Sequence, residues 1–376
     1  MKIVHINLRY PPQAEAGPAI STQELAEESA RQGHCVSVIC INKKMASSAE
    51  QINGVDIFRL ARGNTKAGLA AKIETLICQI DPDIVHSHWI SIFPVLEIAS
   101  AIKGLEAKLV HNLREYSFLC GFGTLFRRGV GACQSLCEDC GSDRKRLKQY
   151  SQQVDAVIGV SQFCLDVHLR AGLFENAVSK SVVHNSYAPP ANELPEKSPG
   201  LSDKTRLGFL GRFSSEKGGL WLMHRLETTG LWKKVTLTIA SQVDQGVRSK
   251  IESRFPNLEI QWLGFTEPSN LFNKIDWLVV PSICYEAFGR IVIEAYGHGV
   301  PVLASNLGAL PDLVKHEVTG RVDDPFSKGD FEQQLNWILD HGEQWPGYAS
   351  NAWQHRKYFL PEELTRKTID LYRQLL

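Results

Sequence analysis

The sequence has no excess charge of either sign: 41 Lys and Arg balance 41 Asp and Glu over 376 residues, so the formal net charge is zero. A dedicated nucleic-acid binder carries surplus positive charge, and this composition argues against one. Also lacking is any run approaching the roughly eighteen consecutive apolar residues of a membrane span. The first segment, MKIVHINLRY, has a lysine but only a short, interrupted apolar stretch, where a secretory leader needs roughly 7–15 apolar residues. It reads as a first β-strand of a cytoplasmic protein. No solenoid-type repeat, no low-complexity tract and no three-glycine dinucleotide fingerprint is present. Cysteines number nine, an odd count in a long chain with an adequate core, which fits reduced thiols better than a disulfide framework. What is there is globular: 43% hydrophobic and 22% charged residues exclude disorder for the bulk of the chain. At about 150 residues per domain, the length suggests roughly two domains.

Short β-branched runs alternate with helical stretches along the first 190 residues. KIVHINLRY, the stretch 20–32 and CVSVICI make a β-α-β unit, with Gly33 ending the helix. Val55–Leu60, Asp83–His86, Lys108–His111, Ala156–Val160 and Ser181–His184 read as further strands. Strands that are apolar throughout and alternate with helices predict a parallel sheet covered on both faces. Residues 188–204 contain four prolines among polar residues and are the best linker candidate. The rhythm then restarts, with strands at Thr205–Phe209, Val235–Ile239, Leu258–Trp262, Trp277–Val280 and Pro301–Ala304. The expected division is a first Rossmann-like domain over 1–190, a linker over 191–204 and a second Rossmann-like domain over 205–358. A carboxy-terminal helix over 359–376 would return to the first domain, with Leu364, Ile369, Leu371, Tyr372 and Leu375 on a buried face. The predicted fold class is α/β, with two doubly wound Rossmann-like domains facing a cleft. Ligands in such folds sit outside the carboxyl ends of the strands.

The most informative segment runs from Asp276 to Ala309. Glu286 and Glu294 lie eight positions apart. Both on one helix would be about 12 Å apart, too far to share a proton. The better reading puts Glu286 in a loop and Glu294 on a helix starting near Phe288–Gly289. That start offers free N–H groups to an anion, and Gly289 permits close backbone approach. One carboxylate could accept a ribose diol and the other a sugar hydroxyl; the competing reading is two solvated glutamates on a surface helix. Just after the linker candidate, Arg212 and Lys217 lie five apart on a Gly-flanked loop at a strand's carboxyl end, well placed to hold a diphosphate. Gly17 precedes a helix in the loop after the first strand.

Together these segments resemble the family-four retaining glycosyltransferases of the GT-B architecture, over most of the chain. The resemblance implies that Arg212 and Lys217 hold the donor's diphosphate, and that Glu286 touches the transferred sugar. Phe288 and Gly289 would offer backbone amides, Arg290 would join the donor site, and Glu294 would bind the ribose. Gly17 would let the first loop approach the phosphate. His111 would take the place of the histidine of a His-Asp motif near the transferred sugar, with Asn112 replacing the aspartate. Ser186 after Asn185 and Ala309 after Gly308 replace glycines of the family pattern. The implied partners are a nucleoside-diphosphate sugar and a glycan or lipid-linked acceptor, with no cofactor required for catalysis. A sugar-nucleotide epimerase, with His111 as its acid–base residue, and a non-catalytic nucleotide-sugar binder are the alternatives. A nicotinamide oxidoreductase is the weakest rival.

Four cysteines, Cys120, Cys133, Cys137 and Cys140, fall within 21 residues of a Gly-rich stretch. Structural zinc, free or redox thiols, and disulfides are the three readings. The other five cysteines read as small core hydrophobes. Asp81-Pro82-Asp83 reads as a structural turn rather than a metal motif. His86 and His88 share one strand face, with core packing favoured over a cleft-lining role. The basic run RKRLKQY (144–150) reads as a solvated helix face, or as a peripheral membrane contact if the acceptor is lipid-linked.

Overall fold

The computed structural model describes residues 1–13, 17–42, 47–61, 65–88, 95–136, 144–189, 193–194 and 204–376. The chain forms two units. The first comprises Met1–Thr124, Ser135–Tyr187 and Phe359–Leu376, and the second Leu125–Gln134 and Ala188–Tyr358. Most of the linker candidate lies outside the described residues.

The sheet of the first unit takes β1 (Lys2–Ile6), β2 (Cys35–Asn42), β3 (Ser48–Ile52), β4 (Val55–Ala61), β5 (Ile84–Ser87) and β6 (Lys108–Leu113). A separate two-stranded hairpin of β7 (Phe126–Arg127) and β8 (Gly131–Ala132) follows in the chain. Then β9 (Ala156–Gly159) and β10 (Ser179–Val182) complete the sheet, in the order β10-β9-β6-β5-β1-β2-β4-β3. The last strand therefore sits two residues before the expected Ser181–His184. The sheet is parallel except at its edge, where β3 runs antiparallel to β4. The expectation of a wholly parallel sheet is corrected there. Ser48–Gln51 are all exposed, so no apolar run marks this strand. Its turn is Asn53-Gly54, both at positive φ, the pairing that a two-residue hairpin loop requires.

Local sequence explains the helices. Thr65 and Ser161 cap the Lys66–Ile80 and Gln162–Arg170 helices, accepting hydrogen bonds from the N–H groups of Gly68 and Cys164. Asp81 ends the first of these in the left-handed region, and the Asp83 carboxylate accepts the Lys2 N–H at 2.7 Å. Asp81-Pro82-Asp83 is thus a structural turn. Pro361 opens the Pro361–Leu375 helix, whose Leu364, Ile369, Leu371 and Tyr372 pack on Ile3, Ile84, Val110, Ala156 and Ile158. Each such side chain is worth roughly 1.5–3 kcal/mol when fully buried. The carboxy-terminal helix therefore completes the core of the first unit.

The second sheet contains β11 (Thr205–Leu210), β12 (Val235–Ala240), β13 (Ile260–Trp262), β14 (Trp277–Val280), β15 (Val302–Ser305) and β16 (Gly320–Asp323). Its order is β13-β12-β11-β14-β15-β16, and every pairing is parallel. The strand at Gly320–Asp323 extends the sequence reading by one. β11 lies between β12 and β14, so the strand order reverses at β11/β14. The crevice outside that reversal is where open α/β sheets bind ligands.

Candidate active site

Two loops meet at the β11/β14 switch point of the second unit. β11 runs through Gly211 into Arg212 and the turn Ser215–Lys217, and β14 runs through Pro281 into Ser282 and Glu286. Gly218 follows at φ +74, where an added Cβ would lie 1.7 Å from the Pro281 carbonyl oxygen. Only glycine lets the two loops approach this closely. The Ile283 N–H then donates to the Glu216 carbonyl at 2.9 Å, tying them together.

The contact places Lys217 Nζ 2.6 Å from Glu286 Oε1, and the hydroxyl of buried Ser282 donates to the same oxygen at 2.5 Å. Burial disfavours both charges. For Glu286 the Lys217 ammonium, the Ser282 hydroxyl and the Arg212 charge outweigh it, and the carboxyl is held below its usual range. For Lys217 the Glu286 carboxylate outweighs burial and holds the ammonium above its usual range. The pair is ionised at neutral pH. Arg212 is 72% exposed and lies 3.4 Å from the Glu216 carboxylate. Of the two predicted cations, Arg212 faces solvent and Lys217 is engaged with Glu286.

Glu286 lies in a loop, as its spacing suggested, bridged in parallel to Gly308. The Ala309 N–H donates to its carbonyl at 2.9 Å. At Gly308 φ is +65, and an added Cβ would fall 2.3 Å from the Glu286 carbonyl oxygen. The helix begins at Arg290 and runs only to Tyr296, with Gly289 as its cap at φ +102. Phe288 is buried. Glu294 is not a solvated surface glutamate: Arg290 Nε donates to its Oε1 at 2.8 Å, and the two side chains are 13% and 12% exposed. Ser282 escaped the sequence reading, and Gly308 entered it only as one glycine of the family pattern. No spacing marked the serine as a partner of Glu286, and the glycine's place in the family pattern did not show which backbone it approaches.

In the first unit Gly17 opens the Gly17–Arg31 helix. The His111 ring is buried, shares a hydrogen bond between Nδ1 and Ser87 Oγ at 2.8 Å, and stacks on Phe174. Burial, with the His168 and Arg114 charges, lowers its pKa to about 3, so the ring is neutral at pH 7. His86 and His88 are both buried, with ring centroids 4.1 Å apart, which bears out core packing on a shared face. His5 joins them, its Nδ1 3.0 Å from His88 Nε2. Among the described residues these three rings form the one cluster with metal-ligand spacing. The Arg114 guanidinium, 3.4 Å from His88 Nδ1, and the hydrogen bond joining His5 to His88 both oppose a cation there.

Cys120 is buried and Cys133 half-buried, while Cys137 and Cys140 lie outside the described residues. Cys40, Cys164 and Cys284 are core residues as expected, but Cys35 and Cys78 are exposed, which corrects the reading for those two. In the basic run, Leu147 and Tyr150 turn inward and Lys145 and Lys148 are exposed. No helix among the described residues is long and apolar enough to cross a membrane.

Two family models match the chain: "Glycosyl transferases group 1" over residues 204–341 and "Glycosyl transferase 4-like" over residues 15–110. The chain belongs to the family-four glycosyltransferases. A 42.6 kDa protein in the cps region of Klebsiella pneumoniae is 27% identical over 83% of this chain and 87% of its own length. Sucrose-phosphate synthase from Thermosynechococcus elongatus superposes with a TM-score of 0.75 at 20% identity, covering 100% of this chain and 98% of that one. HepE from Anabaena, solved in complex with UDP and glucose, gives 0.72 at 18% identity over the whole of both chains. This glycosyltransferase therefore has the GT-B fold, built from two Rossmann-like α/β sheets.

Proposed function

We propose that this glycosyltransferase moves a sugar from a nucleoside-diphosphate sugar to a hydroxyl acceptor with retention of configuration, in glycan or glycoconjugate synthesis. The observation that carries the reading is the ionised Lys217–Glu286 pair beside Arg212 at the switch point of the second sheet. Cleaving the bond between sugar and diphosphate builds negative charge on the leaving phosphate. Fixed cations aimed at that charge stabilise the transition state, and removing one such donor typically costs ~3–4 kcal/mol. Arg212 and Lys217 fill that role, in place of a divalent metal. Glu286, its Oε1 fixed by two donors, takes a hydroxyl of the transferred sugar. Glu294 takes the ribose, and the Phe288 and Gly289 amides approach the phosphates. His111 acts as a neutral hydrogen-bonding ring rather than as a proton carrier, which its low pKa disfavours.

The structure of Anabaena HepE in complex with UDP and glucose supports a nucleotide-sugar donor, and the Klebsiella pneumoniae relative from a cps region supports a polysaccharide acceptor. A cytoplasmic enzyme touching the inner membrane face through the Arg144–Ser151 helix would suit a lipid-linked acceptor. Metal analysis of the purified chain decides between structural zinc on Cys120, Cys133, Cys137 and Cys140 and free or redox thiols: about one zinc per chain supports the first, and none the second.

Thermal-shift screening against nucleoside diphosphates and their sugars tests the donor reading. A ligand at 100 times its dissociation constant adds about 2.7 kcal/mol of stability. Transfer of a radiolabelled sugar from the responding donor, undiminished by a chelator, is the expected result. Solvent deuterium entering the donor would favour epimerisation instead.

A further inference from the structure

The Arg290–Glu294 pair is placed against the electrostatics of its own helix. Arg290 is the first residue of the Arg290–Tyr296 helix. Unsatisfied N–H groups and the positive dipole end disfavour a cation at that position. In i, i+4 pairs the favourable order puts the carboxylate before the cation, and here Arg290 precedes Glu294. Gly289 supplies no side-chain cap to offset this. Both side chains are largely withdrawn from water, so desolvation adds a further cost. Helix stability therefore does not explain an arginine at this position. What the arrangement does achieve is orientation: a planar guanidinium bonded through Nε to Oε1 restrains the plane of the carboxylate.

We infer that Arg290 is a positioning residue that orients the Glu294 carboxylate toward the vicinal hydroxyls of the donor's ribose, so that the enzyme discriminates ribonucleotides from 2′-deoxyribonucleotides. The inference rests on the reading of this site as a nucleoside-diphosphate sugar site. A carboxylate is acceptor-only and takes both hydroxyls of a diol when its plane is fixed toward them. A deoxyribose then leaves one acceptor without its donor in a partly desolvated site, a loss read as about tenfold in affinity. A carboxylate able to rotate makes one hydroxyl contact with either sugar, and the difference shrinks.

Calorimetric titration of the full chain with UDP, ADP and GDP and their 2′-deoxy counterparts tests this. For the nucleotide that binds, the wild type is expected to favour the ribo form by about tenfold. Arg290→Leu narrows the ratio to under about threefold, chiefly by weakening the ribonucleotide, and Arg290→Lys, which keeps the charge without the Nε geometry, falls between. Should the leucine variant fail to fold, the lysine variant carries the comparison. An unchanged ratio in the folded variants overturns the inference and leaves the site reading standing. A wild type that binds none of these nucleotides overturns the site reading itself.

Discussion

Lys217 Nζ and Ser282 Oγ converge on one oxygen of Glu286, at 2.6 and 2.5 Å, although Lys217 and Glu286 are 69 residues apart in the chain. The neighbouring positions of β11 and β14 bring them together, and Gly218 permits the contact. Removing the lysine alone leaves a carboxylate in a partly desolvated loop. Losing one partner of a fully buried pair costs about 3–5 kcal/mol. With Lys217 27% exposed, Lys217→Met is expected to cost ~1–3 kcal/mol in denaturant unfolding. Lys217→Met with Glu286→Gln recovers part of that loss, and a double variant no more stable than the single one would refute the pairing argument.

The same pair fixes a pH dependence. Glu286 titrates below its unfolded value of 4.5, so its contribution is present above that value and is lost as pH falls through the folded pKa. Lys217 titrates above 10.5, so its contribution is present below that value and is lost as pH rises through the folded pKa. The stability gap between the wild type and the double variant should therefore be flat from about pH 5 to pH 10 and close outside that window. A gap that varies steeply near pH 7 would contradict these assignments.

Arg212 makes the complementary case. It is 72% exposed and its visible ion partner is Glu216, four residues on, an arrangement worth little to folding. Arg212→Ala is expected to leave unfolding within about 0.5 kcal/mol of the wild type. It should nonetheless lower turnover at least ~100-fold, because the lost guanidinium acts on charge that develops only in the transition state. Near-normal kinetics would remove Arg212 from the site.

Much of this was legible in the residues. Apolar runs such as WLVV and VLAS are strands buried on both faces, and hydrophobicity alone finds them. The edge strand Ser48–Ile52 has no such run, and its signal was the Asn53-Gly54 turn rather than its own residues. Glu286 and Glu294 announced themselves by type and spacing. Their partners did not: a serine or an arginine has many roles, and which carboxylate it serves depends on loops that only tertiary structure brings together.

Gly308 shows how backbone, invisible to spacing arguments, holds the site. Its φ of +65 and the 2.3 Å that would separate an added Cβ from the Glu286 carbonyl oxygen act together. Gly33, at φ +86, has nothing within 4 Å of the corresponding position. Gly33→Ala therefore carries conformational strain alone, roughly 1–2 kcal/mol. Gly308→Ala must in addition push the Glu286 loop away. It is expected to be the more destabilising of the two and to lower activity, while Gly33→Ala retains it. Equal losses in both variants would show that the Glu286 approach is slack.

Asp323, at the carboxyl end of β16, gives a stability prediction separate from catalysis. Its side chain is 2% exposed, and burial, with the Asp330, Asp324 and Glu332 charges, pushes its pKa up to about 8. In the unfolded chain the value is 3.8, so between those limits the folded state binds the extra proton. Stability attributable to this group therefore falls as pH rises from about 4 to about 8. Asp323→Asn keeps the shape without the charge. At pH 8 it should be more stable than the wild type by at least ~1 kcal/mol, and near pH 4 the two should coincide. Denaturant titrations at both pH values measure this, and an asparagine variant no more stable at pH 8 would mean that the carboxylate finds a compensating partner when it ionises.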